Sequence, residues 1–173
     1  MSAADYSARE TLRDGRRVDI RAQRPADRDA IAAAFRRSSP ETIYRRFFGP
    51  RTGFTEKEVA FYLDLDFVNQ VALVAELEEA GRKVVVGGGR YIVSEPGRAE
   101  VAFTVDDPHQ GLGIASRLMH HLVAIARAAG ITELIAEVLP DNAPMLKVFE
   151  KSGLGMTTRR DAGVVHVVLS LSR

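Results

Sequence analysis

Residues 109–116 read HQGLGIAS. Gly111, Gly113 and Ala115 fall between a strand-like run, AEVAFTV, and a helix-like run, RLMHHLVAIARAAG. With so few bulky side chains, the backbone N–H groups from Gly111 through Leu112, Gly113, Ile114, Ala115 and Ser116 are left uncovered. A helix N-terminus carries unpaired donors and a partial positive charge, so a phosphate can sit directly on such backbone. Clearance for a helix packed close on a strand is an equally good reason for the same residues. A P-loop is excluded because no Lys-Ser or Lys-Thr follows. The dinucleotide pattern G-x-G-x-x-G is met by Gly111 and Gly113 but broken by Ser116, and three strands precede the loop where such a fold normally begins with it. Two acids stand out nearby: Glu100 inside AEVAFTV and Glu137 inside LIAEVL, both in runs that are otherwise apolar and β-prone.

These residues need a scaffold, and the pattern of the chain supplies one. ETLRDGRRVDIRAQ reads as a hairpin turning at Asp14-Gly15. Three short helices follow over roughly 26–64. One starts at Ser39-Pro40-Glu41, and another carries a capping box of Thr55 with Glu58. VALVAEL, KVVVGGGRYIV and RAEVAFTV then form an antiparallel meander, and the glycines at 87–89 mark a bulge or kink. From 113 to 129 the apolar residues Ile114, Leu118, Leu122 and Ile125 share one helical face, and Gly130 stops the helix. ITELIAEV is a strand, DNAPMLKVFEKSG a capped helix, and GMTTRR and VVHVVLSL two closing strands. The unit from 98 to 138 is a parallel βαβ crossover in a mixed sheet. The fold class is α+β, a mixed and mostly antiparallel sheet flanked by helices. The first ten residues are expected to be loose, with a single domain over 11–173.

Composition narrows the function. The 173 residues carry a net charge of +1, so neither nucleic acid nor a membrane surface is an expected partner. No apolar run is long enough to span a membrane, and the N-terminus lacks a signal core; a cytoplasmic protein is expected. There is no cysteine, which removes thiolate metal sites and cysteine nucleophiles. His120 and His121 are adjacent and face different ways on a helix, so no metal is expected. Arg36, Arg37, Arg45, Arg46 and Arg51 cluster in the early helices, either as a solvated face or as a basic rim around a substrate.

The segment Gln110-x-x-Gly113-x-Ala115 matches the Q/R-x-x-G-x-G/A signature of the GNAT N-acetyltransferases, and Asn142 with the helix APMLKVFEKSG is similar to a second segment of that family. The resemblance covers about residues 16 to 170. SPETIYRRFFGP, VALVAEL, AEVAFTVDDPHQGLGIAS and AEVLPDNAPMLKVFEKSGL most resemble the catalytic domain of bacterial Pat-type protein lysine acetyltransferases. Those proteins usually carry a further domain, and none is visible in this sequence.

The resemblance implies acetyl-CoA as cosubstrate and an acceptor amine, most simply a protein lysine, perhaps on an acyl-CoA synthetase, acetylated by direct transfer in a ternary complex. It implies that the loop from Gln110 to Ser116 holds the pyrophosphate and that the backbone of Phe103, Thr104 and Val105 pairs with the pantetheine arm. Asn142 would meet that arm or merely cap its helix, and Lys151 would meet the 3′-phosphate or merely solvent. The base would be Glu100, where Pat-type enzymes have a glutamate, or Glu137, where some other GNAT enzymes have one. Many members carry a tyrosine acid seven residues after the asparagine; here that position is Phe149. Two rival readings share the fold: a small-molecule amine acetyltransferase and a domain that senses acyl-CoA without turnover.

Overall fold

A computed structural model describes residues 2–49, 51 and 53–172. The chain opens with the hairpin of β1 (Ser7–Thr11) and β2 (Arg17–Ala22), whose tight turn uses Gly15 at a φ of 88°. Three helices follow: α1 (Arg28–Arg36), α2 (Pro40–Phe47) and α3 (Glu56–Leu63). Their starts are set chemically. The Ser39 hydroxyl accepts from the Thr42 N–H, and Thr55 and Glu58 each accept the other's backbone N–H. The strands β3 (Gln70–Glu79), β4 (Arg82–Glu95) and β5 (Arg98–Val105) form the meander. Then come α4 (Ile114–Ala128), β6 (Glu133–Val138), α5 (Ala143–Glu150), β7 (Gly155–Asp161) and β8 (Val164–Ser170). One eight-stranded sheet results, in the order β1-β2-β3-β4-β5-β6-β8-β7. The β5–β6 pair is parallel and every other pair antiparallel.

The N-terminal segment makes specific contacts from Tyr6 onward. Residues 7–11 pair with β2, the Tyr6 hydroxyl lies 2.5 Å from His121 Nδ1, and Glu10 lies 2.8 Å from His121 Nε2. His121 of α4 thus ties the edge of the sheet to the helix beneath it, a pairing that sequence separation hides.

Helix α4 lies on one face of the sheet, burying Ile114, Leu118, Leu122 and Ile125. It approaches β4 closely because Gly87 and Gly89 have no side chain there. A Cβ on Gly89 would stand 2.6 Å from the Phe103 ring and 3.1 Å from Leu122, and one on Gly87 3.4 Å from Ile114. The expected bulge is present, with Val86 the extra residue between the Ala75–Gly87 and Glu76–Val85 pairs. Helices α1–α3 cover the other face. Phe54 joins them, its ring edge-on to Phe35, Phe47 and Tyr62 at 4.8, 5.3 and 5.9 Å. Arg21 of β2 fixes where α1 begins: its guanidinium holds Asp27 at 2.8 Å and Glu76 at 3.0 Å, with all three side chains nearly buried.

Gly89→Ala should destabilise the fold by about 1–3 kcal/mol through overpacking against Phe103, read from denaturant unfolding. Burial pushes the Asp27 carboxyl up, but the Arg21 guanidinium and the Arg24 N–H outweigh it and hold it below the usual range. The stability Asp27 contributes is therefore complete above the unfolded carboxyl value near 3.9 and is lost as pH falls through the lower folded value. Asp27→Asn should cost up to about 3 kcal/mol at neutral pH and flatten the acid limb of the stability profile.

Candidate active site between two parting strands

Strands β5 and β6 pair over only three positions, Arg98–Glu133, Ala99–Leu134 and Glu100–Ile135. Beyond them β5 stays with β4 as far as Val105, while β6 stays with β8 as far as Val138. The facing edges of 101–105 and 136–138 are therefore without a ladder partner. They open into a cleft of about 480 Å³ that the N-terminus of α4 and the helix α5 close off. Backbone N–H and C=O groups at such an edge need partners, and an extended ligand can supply them as an added strand does.

The far end of the cleft is built for negative charge. Gly111 and Gly113 take φ values of 83° and 87°, and Gly113 caps α4. Arg13, in the β1–β2 turn, donates through its N–H to the Leu112 carbonyl at 3.3 Å and through Nη1 to the Gly111 carbonyl at 3.4 Å. Arg117 reaches back to the carbonyls of Gly113 and Thr11 at 2.9 and 2.6 Å. The carbonyls of Gly111, Leu112 and Gly113 are thus engaged, and Gly111, Gly113, Ile114, Ala115 and Ser116 line the cleft. Arg13, Arg45, Lys147 and Lys151 line the cleft, and Glu137 is the one carboxylate among its described lining residues. Arg13 belongs to the site although it stands 98 residues from Gly111 in sequence, so no local motif reveals it.

A buried polar network holds the turn that leads into the loop. His109 has its Nδ1 2.5 Å from Asp106 and its Nε2 2.9 Å from Glu79, and Arg37 pairs with Asp106 at 2.8 Å. Gln110 lines the cleft, and its side-chain amide donates to the Val105 carbonyl at 3.0 Å and to Thr42 Oγ1 at 3.1 Å. It fastens the loop to β5 and α2. The Leu112 side chain packs against the core, so only its backbone is available to a ligand.

This arrangement, a mixed sheet parting between two parallel strands above a glycine-capped helix, agrees with the comparisons to known proteins. The acetyltransferase (GNAT) family model matches residues 38–154. The chain belongs to the GNAT acetyltransferases. An acetyltransferase of Pseudomonas aeruginosa is 34% identical over 88% of this chain and 81% of its own length. The acetyltransferase Pat of Mycolicibacterium smegmatis is 35% identical over 73% of this chain, which spans 38% of that protein. Among solved structures, the GNAT domain of S. lividans PAT superimposes with a TM-score of 0.85 at 35% identity, covering 95% of this chain and 96% of that one.

Within this acetyltransferase the two glutamates stand differently. Glu100 occupies the last β5–β6 pair, one residue before Val101, where the lining of the cleft begins, and shares a strand face with Ala102 and Thr104; it is not itself a lining residue, and it makes no ion pair among the described residues. Glu137 lies further along β6, 3.7 Å from His166 of β8. Asn142 caps α5, accepting from the Met145 N–H at 3.3 Å, and also lines the cleft, as does exposed Lys151. Phe149 is buried, its ring centroid 6.2 Å from that of Phe103; it is a packing residue. The expected arginine cluster is largely spent on internal pairs. Arg37 goes to Asp106, Arg45 to Glu41 and Arg51 to Glu58, which leaves Arg36 and Arg46 without an ion pair among the described residues.

His109→Ala should lower stability by about 1–3 kcal/mol, because Asp106 stays buried with one of its partners removed. Urea unfolding checks the loss, and His109→Gln, which still offers an N–H, should recover part of it.

Proposed function

We propose that the protein is an acetyl-CoA-dependent N-acetyltransferase that works in the cytoplasm and transfers acetyl directly to a protein lysine within a ternary complex, with Glu100 as general base. One observation carries the reading: the strands part immediately after the Glu100–Ile135 pair, so a carboxylate stands where the unpaired backbone of β5 begins. The likeness to the two Pat proteins supports a protein lysine as acceptor.

The residues present fit this cosubstrate. The free edge of Phe103, Thr104 and Val105 would take the pantetheine arm. The N–H groups of Gly111 to Ser116, with Arg13, would take the pyrophosphate, and Lys151 the 3′-phosphate. Acetyl-CoA supplies the activated acetyl thioester; the chain supplies position, proton transfer and charge stabilisation. A lysine amine with a pKa near 10.4 costs about 4–5 kcal/mol to neutralise at pH 7. Glu100 accepts that proton directly or through one water. A β5 N–H opposite the thioester oxygen stabilises the oxyanion. The neutral amine adds to the thioester carbon to form the N–C bond and the oxyanion, whose collapse breaks the C–S bond, and the second N–H proton passes to solvent. Phe149 has no proton to give, so CoA leaves as the thiolate and takes its proton from solvent.

Glu100→Gln should keep acetyl-CoA affinity and lower turnover on a lysine peptide by roughly 10²–10⁴, read as thiol release, which the cysteine-free protein does not obscure. Turnover unchanged at neutral pH would transfer the role to Glu137. Gly113→Val should abolish acetyl-CoA binding in calorimetry, because its Cβ would run into Arg117 at a φ that β-branched residues avoid. A folded Gly113→Val protein with full affinity would contradict the loop assignment.

A further inference from the structure

Arg46 of α2 and Arg90 of β4 meet in a second cavity. It measures about 490 Å³ and lies between helices α1–α3 and the open face of the sheet. Neither guanidinium has a carboxylate partner among the described residues, although Arg21, Arg37, Arg45 and Arg51 each have one. The partners of Arg90 are neutral: the Tyr62 ring at 4.5 Å, Gln23 Oε1 at 3.3 Å and the Tyr62 carbonyl at 3.5 Å. Arg46 rests over the Phe47 ring at 4.8 Å. Burial pushes both guanidinium groups down in pKa, Arg90 to about 10, and the charge of Arg46 adds to the fall at Arg90.

Two like charges partly withdrawn from water, with no carboxylate in contact, are costly to a fold. The Tyr62 stacking and one amide contact recover only part of that. What the cluster lacks is an anion in direct contact; Glu100 acts on Arg46 only from a distance. Its location says where the anion comes from. Arg46, Ala102 and Thr104 line both this cavity and the cosubstrate cleft, so the two spaces meet across the face of β5 that carries Glu100. Burial pushes Arg46 down while the Glu100 charge opposes that fall, so Arg46 lies within electrostatic reach of the proposed base. The remaining walls combine apolar residues, Phe35, Phe47 and Phe54 among them, with Arg28, Asp29, Arg36 and Asp106, the last already paired with Arg37 and His109.

We propose that Arg46 and Arg90 together bind a carboxylate carried by the acceptor, so that the protein selects amines with an anionic group close by. The word acceptor rests on the transferase reading above; the anion site itself does not. The carboxylate has two possible sources: an acidic residue beside the target lysine of a protein, or the α-carboxylate of a free amine. An arginine pair that weakens the empty fold and is satisfied by its ligand is an ordinary trade of stability for function.

The test separates the site from the reaction. Phenylacetate and its uncharged isostere phenylacetamide are titrated by calorimetry into the wild type, Arg46→Met and Arg90→Met, with excess CoA filling the cosubstrate cleft. The wild type should bind the carboxylate about ten- to a hundredfold tighter than the amide, as charged hydrogen bonds allow. Both variants should lose that preference while melting no lower than the wild type. Equal affinity for the two probes, or a preference that survives both variants, overturns the proposal. Variants that melt well below a wild type lacking the preference would assign the pair to holding α3 on the sheet. Two turnover comparisons then name the source: lysine peptides flanked by Glu or by Gln, and free lysine against lysinamide. A carboxylate preference in binding with no acetylation of any acceptor would strike the transferase reading and leave the anion site standing.

Discussion

The structure turns on a hydrogen-bond ladder that stops. Three β5–β6 pairs hold the two halves of the sheet together, and the strands separate after Glu100 and Ile135. If the ladder continued, the backbone of residues 101–105 would be consumed within the fold and the cleft would not exist. Because it ends, one edge of β5 keeps its donors and acceptors for a ligand. The divergence is held from outside. On one side β4 grips β5 as far as Val105, and on the other β8 grips β6 as far as Val138. The core packed around Phe103 and Phe149 fills the space beneath.

The other parts of the site depend on that opening. Helix α4 directs its N-terminus at the cleft because its apolar stripe is seated on β4, which it approaches over glycines. The loop from Gly111 to Ser116 is held from three directions: by Arg13 and Arg117 on its carbonyls, by Gln110 on β5, and by the His109–Asp106–Glu79 network at its root. The loop is therefore shaped before any ligand arrives, which reduces the ordering cost of binding. The second cavity exists for a related reason. Gly88, Ala102 and Thr104 are small where the sheet faces α1–α3, so those helices stand off the strands and leave the two arginines inside.

Features carried by neighbouring residues were legible in the sequence. The caps at Ser39 and Thr55, the stripe of α4, the αL glycines of the loop and the bulge by Gly87 follow from local backbone chemistry and periodicity. So did the parallel crossover, because a meander followed by a strand–helix–strand unit admits few topologies. The failures were all contacts between distant segments. The N-terminus reads as loose until it is known that Glu10 meets His121. Arg13 has no motif of its own. The basic cluster reads as a solvated face or a rim because nothing local says that Arg37 meets Asp106, 69 residues on. Arg90, amid a strand of valines and glycines, gives no sign that it shares a cavity with Arg46.

The central claim is that the free edge of β5 and the loop after it hold acetyl-CoA, with the thioester beside Glu100. Backbone hydrogen exchange of the protein, with and without saturating acetyl-CoA, tests this most directly. The account predicts new protection confined to amides within residues 101–105 and 111–116, and little change along β1, β2 or β7. Protection absent from 101–105, or appearing elsewhere while the cosubstrate is demonstrably bound, would contradict it.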